Sequence, residues 1–154
     1  ADDFLNINII DKMYLAFKNG NDIVVASRFM KGGSMKGCPL LKSILVRLAS
    51  NTLYLFSSIP VRDASNGFRL FSRRLLNTVY IESNVGFAYS LELLVKCKRL
   101  NFNIFEIPAQ WEERSYGTSR FKILKWLPGY LQWYFYGLST TWLRKGPENV
   151  KKKN

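Results

Sequence analysis

Between Val61 and Lys122 the chain reads V-R-D-A-S-N-G-F-R-L-F, then G-F-A-Y-S-L-E-L-L, then E-I-P-A-Q-W-E-E-R-S-Y-G-T-S-R-F-K. The first and last of these segments set arginines beside Gly, Ser and Asn. That combination suits phosphate: a guanidinium offers a fixed fork of donors to two oxygens, and tight turns present backbone N–H groups to an anion. Arg114 and Arg120 flank S-Y-G-T-S, with Ser119 at its end, and this loop is short enough to bring both guanidinium groups onto one diphosphate. The apolar segment between carries one carboxylate, Glu92. Together the three make a candidate active-site wall.

Three residues are candidates for the reacting centre: Asp63, Arg69 and Glu92. Asp63 has three readings. It orients an acceptor or counters Arg62 and Arg69; it is the base if the acceptor is an alcohol, which must lose its proton during attack; or it caps the Ser65-Asn66-Gly67 turn. Glu92 falls in a helix rich in Leu, where an unpaired carboxylate is costly, so an arginine partner is expected, in a structural or a catalytic role. Arg47 and Asn51, four residues apart on a helix, share a face. Histidine is absent, which excludes Ser-His-Asp and Cys-His mechanisms and any His-ligated zinc. Cys38 and Cys97 are isolated and read as free thiols of a reducing compartment.

The elements that must position these residues alternate between helix and strand. Ile10, Met13, Tyr14 and Phe17 place a helix over Ile7 to Lys18, stopped by Asn19-Gly20. The β-branched run Asp22 to Ser27 suits a buried parallel strand, and K-G-G-S-M-K-G after it reads as a mobile loop. A second helix is expected from Pro39 to Ser57, a strand from Gly67 to Phe71, and helices from Arg73 to Tyr80 and from Gly86 to Leu100. Ile104 to Trp111 alternates as a strand, with Pro108 demoting its end to an edge or bulge. This is βα alternation, so a layered α/β sheet is expected.

The 154 residues carry 23 Lys and Arg against 11 Asp and Glu, and a net charge of +12 favours an anionic partner: nucleic acid, acidic lipid or a phosphorylated substrate. With 47% hydrophobic residues the chain can bury a core of one domain, or part of one. Between Lys125 and Arg144 lie 18 uncharged residues holding three of the four tryptophans, an aromatic-belt composition. Pro128, Gly129, Gln132, Gly137 and three hydroxyl residues make that run too polar for a spanning helix. It is expected to lie at a membrane interface over 123–146, flanked by Lys122, Lys125, Arg144 and Lys145, with 147–154 as a basic tail. The alternative is a C-terminal helix buried against the sheet.

S-R-F-x-x-G-G from Ser27, P-V-R-D-A-S-N-G-F-R from Pro60, G-F-A-Y-S-L-E-L from Gly86 and the Glu106–Lys122 segment, in that order, resemble the dolichyl-phosphate mannosyltransferase branch of the family-2 glycosyltransferases. The resemblance continues through W-L-P-x-Y-L-x-W-Y-F from Trp126. It implies the C-terminal portion of a GT-A-type catalytic domain, covering 1–122, preceded by a nucleotide-binding half whose acidic metal motif ends on Asp2. Asp3-Phe4-Leu5-Asn6 departs from the common pattern, and no second carboxylate stands before Ala1, so one half of a site for Mg²⁺ or Mn²⁺ is expected. The implied reaction moves a sugar from a nucleotide-diphosphate sugar to a polyprenyl or dolichyl phosphate at the cytoplasmic face of a membrane. Arg28, Gly32, Gly33, Arg47, Asn51, Ser65, Asn66, Arg114, Ser119 and Arg120 are then expected to bind phosphates or to close over the acceptor. The portion alone is expected to be inactive and, with a cut sheet edge, to aggregate.

Two other classes remain. The same family includes transfer to a sugar hydroxyl. A peripheral membrane-binding module without chemistry explains the tail and the charge but leaves Val61 to Lys122 unaccounted for. A nucleic-acid binder fits the charge and the 15% aromatics, but no recognisable motif accompanies them.

Overall fold

The computed structural model describes residues 4–112 and 123–153. A 3-10 helix, Phe4–Ile9, runs into α1, Ile10–Lys18. The first strand, β1, is Ile23–Ser27, and every one of its five residues is buried. β1 pairs parallel with β4 (Ile104–Pro108) and antiparallel with β3 (Arg69–Phe71), giving a three-stranded mixed sheet in the order β3-β1-β4. The fold is mixed α/β, as expected, although the sheet is not purely parallel.

Burial of β1 on both sides follows from the two-residue period of a strand. Ile23 and Val25 face one core with α4 (Ala88–Arg99) and α5 (Ile123–Trp142). Val24 and Ala26 face the other, made with Met13 and Ala16 of α1 and with Ile107 and Ala109. The mouth of β1 is tied by Asp22. Its carboxylate accepts from Ser72 Oγ at 2.8 Å, Arg74 Nε at 3.0 Å and the Asn103 N–H at 3.1 Å, joining the starts of β1, α3 (Arg73–Thr78) and β4. Burial pushes this carboxyl upward, and the bonds from Arg74, Ser72 and Asn103 outweigh that, holding it below the ordinary range.

Two expected elements differ. The Lys31–Gly37 segment is not simply a mobile loop: Ser34–Lys36 forms β2, parallel to β5 (Gln110–Glu112). The strand expected over Ile104 to Trp111 is accordingly two strands in two sheets. The chain changes sheet at Ala109, whose N–H bonds Ser27 O at 2.8 Å while its carbonyl accepts from the Ser34 N–H at 3.0 Å. Pro108 closes β4 just before this switch. Gly33 is what lets β2 start so near β1: a Cβ there would lie 2.5 Å from Ser27 O and 2.8 Å from the Arg28 carbonyl. Since backbone cannot yield as a side chain can, Gly33→Ala is expected to lower unfolding stability by about 1–3 kcal/mol, read as a lowered midpoint in urea.

α5 is a single helix containing Pro128. It lies along α4, and its glycines set the approach: a Cβ on Gly137 would stand 3.0 Å from Val95 Cγ1 and 3.2 Å from Leu53 Cδ2, and one on Gly129 2.9 Å from Val85 Cγ2. Trp133 and Leu138 of α5 are buried. The tail is not a free basic extension. Val150 is buried, Lys152 bridges Val79, and the Tyr80 and Lys153 N–H groups bond the Lys151 and Thr78 carbonyls. Among the described residues, no helix is long and apolar enough to cross a membrane.

Candidate functional site

The C-terminal end of β1 delivers Arg28 directly against Asp63. The Asp63 carboxylate accepts from the Arg28 N–H at 3.0 Å, Arg28 Nε at 2.7 Å and Arg28 Nη2 at 2.9 Å. It also accepts from the Ser65 N–H and Oγ at 3.2 and 3.0 Å and from the Asn66 N–H at 3.1 Å. These are six donors on a group with about four lone-pair positions, so Asp63 is saturated. It is fully buried. Burial pushes its carboxyl upward, and the hydrogen bonds and charge of Arg28 outweigh this and hold it below the ordinary carboxylate range.

The turn after Asp63 is built as its sequence reads. Asn66 donates Nδ2 to Ala26 O at 2.7 Å and accepts the Phe68 N–H at 3.2 Å, pinning the turn to β1. Ser65 Oγ also receives Arg28 Nη2 at 2.6 Å. Arg69 enters from β3 and is buried, bonding Ala64 O through Nη2 at 2.7 Å and Ser90 O through Nη1. Burial pulls its guanidinium down to about 10 against the attraction of Asp63, so it remains a cation at neutral pH. Arg28, Asp63 and Arg69 therefore form one buried charge cluster at the rim of the sheet.

Arg28, expected to meet a phosphate, is engaged within the protein. Its side chain is 10% exposed and two of its nitrogens hold Asp63 and Ser65, so it braces the 63–66 turn. Asp63 counters Arg28 rather than Arg62, whose N–H bonds Glu106 Oε2 at 2.8 Å and whose guanidinium covers the Tyr54 ring at 4.8 Å. Arg47 is brought to the same place by an unexpected device. The Phe29 ring carries Arg28 at 5.0 Å and Arg47 at 4.7 Å from its centroid, so α2 (Leu40–Phe56) presents an exposed guanidinium beside the buried cluster. Asn51 is exposed on α2, one turn further on. Gly32, at φ +90°, and Gly33 shape the loop between β1 and β2 on the same rim.

Glu92 sits elsewhere, and its partner is Lys96 rather than an arginine. Both are fully buried, 2.6 Å apart. Lys96 Nζ also bonds Tyr80 O and Glu82 Oε2, each at 2.7 Å, and lies 4.8 Å from the Trp133 ring centroid; Glu92 accepts the N–H groups of Glu82 and Ser83. This clasp fixes segment 80–83 against α4 and α5, and α4 in turn holds Arg69 through Ser90. Glu92 is thus connected to the Arg28–Asp63–Arg69 cluster through α4. The signal available was the Glu-to-Lys spacing of four on a helix.

Arg114, Ser119, Arg120 and Asp2 lie outside the described residues. Among the described residues, no group of three or more His, Cys, Asp or Glu side chains is placed to hold a metal ion. Asp63 and Glu106 at this rim are each engaged by N–H donors. Cys38 and Cys97 are free thiols; burial pushes the Cys97 thiol up, which makes it inert.

No protein-family model matches the chain. It is 21% identical over 129 residues to a polyprenol monophosphomannose synthase of Mycolicibacterium smegmatis, covering 76% of this chain and 49% of that protein. It is 27% identical over 116 residues to a dolichol-phosphate mannosyltransferase of Pyrococcus furiosus, covering 74% of this chain and 32% of that protein. The chain thus spans about half or less of the length of these curated relatives. Both similarities support the relationship to dolichyl-phosphate mannosyltransferase-like, family-2 glycosyltransferases that the order of the motifs implied.

Proposed function

We propose that this chain is the acceptor-side part of a glycosyltransferase that moves a sugar from a nucleotide-diphosphate sugar to a polyprenyl or dolichyl phosphate, at the cytoplasmic face of a membrane. An oxygen of the lipid phosphate attacks the anomeric carbon, the bond to the nucleoside diphosphate breaks, and the diphosphate leaves with the electron pair. The observation that carries this reading over transfer to a sugar hydroxyl is the saturation of Asp63. A general base must offer a lone pair to the proton it takes, and Asp63 has six donors on it and a carboxyl held below its ordinary range. A lipid phosphate is ionised near neutral pH and needs no such base. What it needs is positive charge, which Arg47 and the buried cluster supply.

In this reading Arg47 and Asn51 meet the acceptor phosphate, Gly32 and Gly33 allow the rim loop to lie close to it, and Arg114, Ser119 and Arg120 hold the donor diphosphate. Asp63, Ser65, Asn66, Arg28 and Arg69 keep the rim in shape. The divalent ion, Mg²⁺ or Mn²⁺, belongs to the same proposal with Asp2 as its residue, since Asp63 and Glu106 at the rim are already engaged by N–H donors. The test uses a chain of the relatives' full length, a labelled nucleotide-diphosphate sugar, and either polyprenyl phosphate or a sugar acceptor. Label is expected in the lipid-extractable product alone. In that assay Arg47→Ala is expected to raise KM for polyprenyl phosphate about tenfold, the worth of one charge-assisted contact, with kcat little changed. Label appearing only on a sugar hydroxyl overturns the reading.

A further inference from the structure

The front half of α2 is helix with little beneath it. From Leu40 to Ala49 none of its residues is buried. The buried ones, Ser50 and Leu53, belong to its second half, where Leu53 packs over Gly137 of α5 and Thr52 Oγ1 accepts from Tyr134 Oη at 2.8 Å. A helix in a folded protein owes most of its stability to the face it packs, so a stretch that buries none of its residues must be placed by other contacts. Two cations set over rings bridge the gap. Lys42 Nζ lies 5.4 Å from the Trp111 ring centroid on β5, and the Arg47 guanidinium lies 4.7 Å from that of Phe29.

Phe29 carries two guanidinium groups. It follows Arg28 directly, is half-buried, and its centroid lies 5.0 Å from the Arg28 guanidinium as well. Two free cations against one ring would repel each other, but Arg28 is neutralised by the Asp63 carboxylate, 2.7 Å from its Nε. The ring therefore joins a pair anchored in the sheet to a helix end that is not. Arg47 is otherwise weakly tied: its Nε is 3.4 Å from Ser43 Oγ, one turn back on the same helix and free to move with it. Among the described residues, no carboxylate pairs with Arg47. An unheld arginine loses rotamer freedom when an anion orders it, and a ring that orders it beforehand removes that cost.

We propose that Phe29 is a positioning residue: its ring pins the front half of α2 to the Arg28–Asp63 brace and so holds Arg47 at the rim of β1. What Arg47 meets there, the acceptor phosphate, rests on the reading above; that Phe29 sets its place does not. The effect runs through Arg47 alone. Removing the ring is expected to weaken acceptor binding by what an exposed cation–ring contact is worth, about three- to fivefold, and to leave the chemical step unchanged.

The test is a double-mutant cycle in a chain of the relatives' full length, with Phe29→Leu, Arg47→Ala, their combination, and Phe29→Tyr as the variant that keeps a ring; folding is checked by circular dichroism. With polyprenyl phosphate, Phe29→Leu is expected to raise KM about three- to fivefold with kcat little changed, and Phe29→Tyr to stay near wild type. In the Arg47→Ala background Phe29→Leu is expected to add nothing, because the residue it positions is gone. Amide hydrogen exchange gives a readout that needs no substrate. Exchange over 40–48 is expected to quicken in Phe29→Leu and in Arg47→Ala, with no further gain in the double variant, while 50–56 stays as in wild type. Equal KM effects of Phe29→Leu with and without Arg47, a Tyr variant that behaves as the Leu variant does, or unchanged exchange over 40–48 each overturn the inference. If wild type labels only a sugar hydroxyl, the acceptor reading fails by itself, and the exchange cycle decides on Phe29: non-additive gains support the pin and additive gains overturn it.

Discussion

Lys96→Met, with Glu92 left in place, is expected to lower the unfolding free energy of this chain by about 3–5 kcal/mol, a large share of the roughly 5–15 kcal/mol that holds a domain folded. The size follows from what remains. Glu92 is fully buried and would keep only the Glu82 and Ser83 N–H groups, with its 2.6 Å countercharge gone. Tyr80 O would lose its donor as well. Glu92→Leu should cost less, because Lys96 keeps Tyr80 O and the Glu82 carboxylate, each at 2.7 Å. The double replacement Glu92→Leu/Lys96→Met is expected to recover much of the loss, because two apolar side chains of similar volume leave no stranded charge. Urea melts of the four proteins check this. If each single change costs under about 1 kcal/mol, the clasp is not the brace that its geometry implies.

The second large effect is at Asp63. Asp63→Ala removes the counter-ion from two buried guanidinium groups at once, and a loss of about 3–5 kcal/mol is again expected. In a chain of the relatives' full length, turnover should fall about 10²-fold even for the fraction that folds, since the 63–66 turn and Arg28 lose the anchor that sets their positions. Asp63→Asn keeps the shape and discards the charge, so it separates the two contributions. pH gives an independent check. The folded-state carboxyls of Asp63 and Asp22 lie below their ordinary values. Their contribution is therefore complete above an unfolded value of about 3.9 and is lost as pH falls through the lower folded values. Wild type should lose stability below about pH 4, and Asp63→Asn should show a shallower decline there, followed by thermal melts across the acid range. An unchanged slope would mean that Asp63 is not ionised through Arg28 as described.

Much of this arrangement was legible from residue types. β1 had to be buried because five successive small or β-branched residues leave no polar face, and the Asp-x-Ser-Asn-Gly turn is local chemistry that needs no partner to be read. The spacing of Leu and Ile predicted α2 and α4 well, since helical periodicity is a property of neighbours four residues apart. Partner choice was not legible in the same way. Asp63 was equally able to meet Arg28, Arg62 or Arg69 until β1 and the 61–68 segment were laid side by side. Glu92 found a lysine on its own helix rather than an arginine from elsewhere.

What the amino-acid sequence by itself determined is the chemistry on offer and the local elements: arginines beside tight turns, no histidine, a β-branched central strand, and two helices without acidic residues over their length. What only the tertiary structure decided is which groups are spent and which are presented. Arg28 is engaged by Asp63 and Arg47 is left exposed, the Lys-rich tail is folded back onto Val79, and the leucines of α2 other than Leu53 face outward. The reason is physical. Pairing and exposure depend on distances between residues tens of positions apart, and these are set by which faces of β1, α4 and α5 can close without stranding a buried charge.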